Sequence, residues 1–321
     1  MYEWNAMKKL YHLCLSSHDE VLFRSESDLV RGFNALALAC LTTDSTLLAD
    51  GLLTTHLHYL AQTEVPKETL YRMRYSHVRF FNAKYKRRGK LGEKRPFCLE
   101  IEGFHHTLAA LNYVNRQGLH HGLAPTPFGY KHCSANAFFG KQLGKTPAAL
   151  LMPSDQRYKY LPEKASIPGS FRMDASGLLL REDIIDTAQV ESYYGTPRNY
   201  LLQMNKIGDE TSRKEQQEER SSTPVITLEV IEKGVPGVDI NQLIRNESWK
   251  HNPQMISDLE LCELIDATLL PKYCRNATIY ETSISQRKFL YDMIWNNLWA
   301  SRHKRTTAAQ LRRCLCLNTQ E

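Results

Sequence analysis

The chain has no Cys-x-x-Cys pair, no long apolar run and no recognisable leader segment. Its eight cysteines (Cys14, Cys40, Cys98, Cys133, Cys262, Cys274, Cys314 and Cys316) are scattered, which argues against a zinc ribbon. Met1–Lys9 is polar and every hydrophobic run is short, so neither a signal peptide nor a membrane span is expected. Free thiols in a reducing cytoplasmic setting fit this usage best. At 321 residues, with 42% hydrophobic and 24% charged residues, the chain is long enough for two domains of ordinary globular composition. The net charge of +6 is modest, but its placement is uneven. Ten basic residues (Arg72, Arg74, Arg79, Lys84, Lys86, Arg87, Arg88, Lys90, Lys94 and Arg95) fall in one stretch that holds a single acid, Glu93. Such an excess favours a polyanionic partner, and Tyr75, Phe81 and Tyr85 are interleaved with the cations as stacking candidates.

Periodicity divides the first half into alternating elements. Lys9–Ser16 alternates as a strand, and Asp28–Leu41 carries Leu29, Phe33, Leu36, Ala37 and Cys40 at helical spacing. Leu47–Leu60 reads as one or two strands, Glu68–Lys86 as a helix opened by Pro66, and Pro96–Ile101 as another strand. A strand–helix–strand opening of this kind suits an α+β fold, a ferredoxin-like antiparallel sheet with helices on one face.

Within that frame, Thr54–Leu60 places His56 and His58 one residue apart. On a strand they share a face, with Leu57 turned the other way. In a chain with 12 His, one His-x-His carries little weight alone. A second stretch adds to it: Leu111–Gly118 reads as a helix on which Tyr113 and Gln117, four apart, project together. A tyrosine hydroxyl can attack, and a glutamine amide oxygen can ligate a cation. His105-His106 and His120-His121 flank this helix and read as surface or DNA-backbone contacts.

This order of elements, from Tyr11-His12-Leu13-Cys14-Leu15 through Thr54–Gln62 and Met73–Asn82 to Tyr113–Gly122, resembles the single-tyrosine HUH transposases. The REP-associated tyrosine transposase branch is the nearest in arrangement. That branch usually carries Asn-Pro one turn after its tyrosine, whereas Gln117-Gly118 stands here, and Tyr-x-x-x-Gln looks like the related insertion-sequence transposases. The resemblance covers a little under half of the chain. It implies an HUH nuclease domain over residues 1–145 and a bacterial, nucleoid-associated protein acting in DNA transposition or recombination. It also implies single-stranded or hairpin DNA as substrate, with Tyr113 as nucleophile forming a 5′-phosphotyrosine. Relatives of this kind include dimers that share active sites and monomers that work alone, so a homodimer is one expected state.

A free phenol, with a pKa near 10, attacks poorly at about pH 7. A divalent ion held by His56, His58 and Gln117 would polarise the scissile phosphate, and the mixed N/O set favours Mg²⁺ or Mn²⁺. The rival reading is an inactive scaffold that binds DNA or RNA as a regulatory protein. Beyond the first domain, residues 146–223 form a connecting region. Its polar stretch Asp209–Ser222 is either an exposed helix or a flexible linker. Residues 224–321 read as a mainly helical accessory domain, opened by a strand over Pro224–Glu232. Phe289, Met293, Ile294, Leu298 and Trp299 form an amphipathic stripe there. Thr306–Arg313 is a capped helix beside the basic residues Arg302, His303, Lys304, Arg305, Arg312 and Arg313, and it offers a second DNA contact.

Overall fold

A computed structural model describes residues 8–93, 95–144, 150–162, 165–206, 210–232, 255–276, 278–297 and 305–318. The fold is α+β. Strand β1 (Lys9–Ser16) leads to α1 (Glu26–Thr42), then β2 (Thr46–Leu52), β3 (His56–Thr63), α2 (Pro66–Tyr85) and β4 (Phe97–Ile101). The four strands form one antiparallel sheet in the order β2-β3-β1-β4. The expected run Leu47–Leu60 is thus two strands, broken at Leu53–Thr55.

Alternation sorts the two faces of the sheet. Leu13 pairs with Tyr59 and Leu15 with Leu57, and all four are buried towards α1 and α2. A side chain at Gly32 of α1 would collide with Phe23 and crowd Leu52, so the glycine lets α1 lie close to the sheet. Cys14 pairs with His58 and Ser16 with His56, and these face α3 (Phe104–Asn115) on the other side. Helix α3 stops at Asn115, and Gln117 opens a separate short turn, α4 (Gln117–His120).

The second face is completed by segments distant in sequence. Three short helices follow, α5 (Arg181–Ile184), α6 (Thr187–Tyr194) and α7 (Pro197–Asn205), and Val190, Tyr194 and Tyr200 join the same core as the sheet. The polar stretch forms an exposed helix, α8 (Glu210–Glu218), rather than a linker. Glu219, just past its end, accepts the backbone N–H groups of Phe104, His105 and His106 and pairs with the His106 ring at 2.9 Å. A carboxylate there satisfies the orphan donors at the start of the tyrosine helix. Gly103 makes this possible: it sits at φ +98°, and a Cβ on it would lie 2.4 Å from the carboxylate. His106 is therefore a buried structural partner and not a surface contact.

The strand expected over Pro224–Glu232 is not formed. Thr227 caps a helix instead, its hydroxyl accepting the Val230 N–H at 3.1 Å, and α9 (Leu228–Glu232) follows. Leu228 and Ile231 pack in the first core, so the packing crosses the expected boundaries at 145 and 223 without a break. A second core forms from Leu261, Cys262, Ile265, Leu269, Leu290, Ile294, Leu311 and Cys314. Arg24, fully buried, ties it to the sheet domain through Asp266 at 2.8 Å and the Cys314 carbonyl at 2.8 Å. The helix at Ala308–Cys314 has the expected threonine cap at Thr307. Arg313 pairs with Asp258 at 2.9 Å, and Leu298, Trp299, Arg302, His303 and Lys304 lie outside the described residues.

One buried ion pair makes the first core sensitive to substitution. Asp50 of β2 is gripped by the Arg181 guanidinium at 2.9 and 2.8 Å, and that group lies 4.3 Å from the Phe33 ring. Removing one partner strands a buried charge. Asp50→Ala is expected to lose about 3–5 kcal/mol of stability, read as a shifted urea midpoint, with Asp50→Asn losing less.

Candidate metal centre and tyrosine site

His56 and His58 stand side by side on β3, and both are fully buried. The His56 Nδ1 is engaged by the Thr55 hydroxyl at 2.9 Å, which leaves its buried Nε2 without a hydrogen bond. The His58 Nδ1 meets the His12 Nε2 of β1 at 3.0 Å, which turns the His58 Nε2 towards the tyrosine helix. His58 has Cys14 opposite it on β1 and Gly51 opposite it on β2. Gly51 matters because α3 and α4 lie directly on it. An added Cβ would come within 2.9 Å of the Val114 carbonyl and 3.1 Å of the Gln117 Cγ.

That close approach delivers the two residues expected from the helix. The Tyr113 hydroxyl lies 3.4 Å from the His58 Nε2. Gln117 follows although the helix is interrupted at Arg116; its Nε2 reaches back to the Tyr113 carbonyl at 3.4 Å, and its Oε1 is buried without a hydrogen bond. All four expected residues, His56, His58, Tyr113 and Gln117, therefore meet on one face of the sheet.

Four further residues join them. Glu232, at the end of α9, accepts a hydrogen bond from the Tyr113 hydroxyl. The same Oε1 is 3.8 Å from the His58 Nε2 and 3.9 Å from the His121 Nε2, while Oε2 has no partner. His12 supports His58 from behind, and His121 brings its ring to 4.7 Å from that of His56. His120 is buried with its ring 5.6 Å from the Tyr113 ring. His120 and His121 are thus part of the site, not surface contacts, because the turn after Gln117 folds them back over the sheet.

The electrostatics favour a cation. Burial pushes His56 down to about 3, and burial together with the His56 imidazole holds His58 well below its usual range. Both rings are accordingly neutral at pH 7 and able to donate a lone pair. Burial pushes the Glu232 carboxyl up, a hydrogen bond to His121 pulls it down, and His58 and His56 pull it down further whenever they are protonated. With His56 and His58 neutral, the β3 pair offers the buried Glu232 carboxyl no positive partner. His56, His58 and Glu232 can each offer one donor atom, all within 4.8 Å of one another, and the free Oε1 of Gln117 lies beside them. A divalent ion fits this donor set of two nitrogens and two oxygens. Tyr113 itself is held above its usual range by burial and by Glu232, so it stays protonated at rest.

Half of the basic stretch is engaged within the fold. Arg72 pairs with Glu68, Lys84 with Asp28, Lys86 with Glu281 and Arg87 with Glu20. Arg74 donates to the carbonyls of Gly92 and Glu93. Phe81 and Tyr85 are buried, and the Tyr85 hydroxyl donates to Asp28 at 2.8 Å, so neither can stack on a base. Arg79, Arg88, Lys90 and Arg95 are exposed with no acidic partner among the described residues, while Lys94 lies outside them.

Nothing in the sequence marked Glu232, which is 119 residues from Tyr113 and one of 35 acidic residues. His12 was findable, since it alternates with Cys14 on the same strand face. No helix among the described residues is long and apolar enough to cross a membrane. No protein-family model, curated protein or solved structure matches the chain.

Proposed function

We propose that the chain is a metal-dependent endonuclease and strand transferase for single-stranded or hairpin DNA, of the single-tyrosine HUH transposase type. The observation that carries this is the convergence of the Tyr113 hydroxyl with unpaired donors of His56, Gln117 and Glu232 beside His58. The order of strands and helices supports it, since βαββαβ with sheet order β2-β3-β1-β4 is that of a ferredoxin-like sandwich.

In this reading the Tyr113 oxygen attacks the scissile phosphorus. The P–O3′ bond breaks, and a 5′-phosphotyrosine and a free 3′-hydroxyl result. Glu232 accepts the phenolic proton, which is returned to the departing 3′ oxygen. A second 3′-hydroxyl then attacks the phosphotyrosine and regenerates Tyr113, so joining needs no nucleotide cofactor. His56, His58, Gln117 and Glu232 would hold Mg²⁺ or Mn²⁺, which supplies positive charge against the phosphate. The histidine His12 fixes the orientation of His58 through their shared hydrogen bond. Tyr113 reaches the His58 of its own chain, which supports cleavage in cis with no dimer required.

Tyr113 is only 5% exposed, so DNA reaches it only when the cover over it opens. The same burial is the one observation that favours the rival reading, a scaffold that binds nucleic acid without cutting it. Incubation with labelled hairpins and Mn²⁺ separates the two. The proposed activity gives a covalent protein–DNA complex that vanishes with EDTA, whereas the scaffold gives binding and no complex with either metal.

A further inference from the structure

The outer surface of α2 carries a stripe of exposed side chains that the fold does not use. Tyr71 and Tyr75 are 63% and 52% exposed, and their rings stack at 5.9 Å with an interplanar angle of 21°. One turn further on, the Arg79 guanidinium lies 5.5 Å from the Tyr75 ring. Spacing of four places these three residues in one row on the helix, about 12 Å long at 1.5 Å per residue. A single exposed tyrosine is ordinary. Two parallel rings continued by an unpaired cation form a ready stacking surface.

The loop after α2 adds charge beside this row. Arg74 binds the carbonyls of Gly92 and Glu93 at 3.0 and 2.8 Å, and Asn82 binds that of Gly89 at 2.8 Å. The two anchors stand eight residues apart on α2, so the loop runs back along the helix. From this loop Arg88, Lys90 and Arg95 project into solvent without an acidic partner among the described residues. The row and its flank thus pair π-faces with unneutralised cations, and they offer few aliphatic groups of the kind that seat a protein partner.

We propose that Tyr71, Tyr75 and Arg79, flanked by Arg88, Lys90 and Arg95, form an anchoring track for single-stranded DNA. Successive bases stack on the two rings while the guanidinium and the loop cations meet the phosphates. Helix α2 covers the opposite face of the sheet from Tyr113. The strand held here is therefore not the scissile one, and the track works whether or not Tyr113 cleaves. Its surface reads base faces and phosphates, with no side chain in the row placed to select a ribose hydroxyl.

The test is fluorescence anisotropy of a short labelled oligothymidylate against the full chain at about 50 mM salt, where phosphate contacts are strong. Replacing both Tyr71 and Tyr75 by Ala is expected to weaken binding by at least about 10-fold, since each stacked base contributes about 1–3 kcal/mol. Replacing both by Phe keeps the affinity within about 2-fold of wild type, because the faces remain. Arg79→Ala lowers the slope of log affinity against log salt by about 0.7. All the substituted side chains are exposed, and unfolding curves matching wild type confirm that the variants are folded. The proposal is overturned if the Ala pair binds like wild type, or if the Phe pair loses as much as the Ala pair. It is equally overturned if duplex DNA or the matching oligoribonucleotide binds more tightly through the same tyrosines.

Discussion

Tyr113→Phe should form no covalent complex with hairpin DNA while the protein stays folded and still takes up metal. The aromatic ring is a packing element in its own right, with the His12, His58 and His120 rings at 5.5, 5.3 and 5.6 Å, and phenylalanine preserves all three contacts. Only the hydroxyl is lost, and with it the sole atom of that side chain able to bond to phosphorus. Glu232 loses a hydrogen-bond donor, a cost of about 1–3 kcal/mol for a buried carboxylate left unpaired. A bound cation would absorb much of that cost, so the thermal shift produced by Mn²⁺ should be retained. The covalent product is read on a denaturing gel and by mass mapping of the DNA-linked peptide. A complex that persists in Tyr113→Phe would assign the chemistry to another tyrosine. Loss of both the complex and the Mn²⁺ shift would make Tyr113 a structural part of the metal site instead.

Acid should unfold the chain at unusually mild pH when metal is removed. Burial pushes His12 and His56 down to about 3, and it lowers His58, His77 and His132 as well. In the unfolded chain the same groups titrate near 6.5. Below that pH the unfolded state binds more protons than the folded state, so stability falls as pH drops from 6.5 towards 3. His12 and His56 alone contribute a loss of about 4 kcal/mol by pH 5, a large part of the ~5–15 kcal/mol that holds a typical domain together. Urea titrations between pH 7 and 5 in EDTA should show the midpoint falling steeply. Saturating Mn²⁺ should raise the whole curve at pH 7, by about 2.7 kcal/mol at 100 times its dissociation constant. A midpoint that stays level down to pH 5 would mean that these histidines are not buried as described.

What was legible in the sequence follows from how local each signal is. Period-two alternation is a property of a few adjacent residues, and it located β1 and the shared face of His56 and His58. Helical spacing located α1, α2 and the helix carrying Tyr113, and the four-residue step to Gln117 survived the break at Arg116, where Gln117 still reaches back to the Tyr113 carbonyl. Tertiary contacts left no such trace. Glu232 reaches the site only because α9 folds over α3, and the apolar run that precedes it looked like a strand until Thr227 was seen to cap a helix. The basic stretch was legible as a total charge but not in its pairing. Its charges are visible in sequence, but the acids that neutralise them, Glu20, Asp28 and Glu281, come from other parts of the fold. Tyr71 carried no special mark until its exposure and its stacking on Tyr75 were seen.

The cleavage chemistry needs a metal ion beside the tyrosine, and anomalous diffraction from crystals soaked in Mn²⁺ tests for it most directly. The expected result is one strong peak within coordination distance of the His56 and His58 Nε2 atoms and a Glu232 oxygen, with the Gln117 Oε1 turned towards it. In His58→Ala that peak should be lost. A site that stays empty at saturating Mn²⁺, with Glu232 still bonded to the Tyr113 hydroxyl, would contradict the metal centre and the cleavage chemistry built on it.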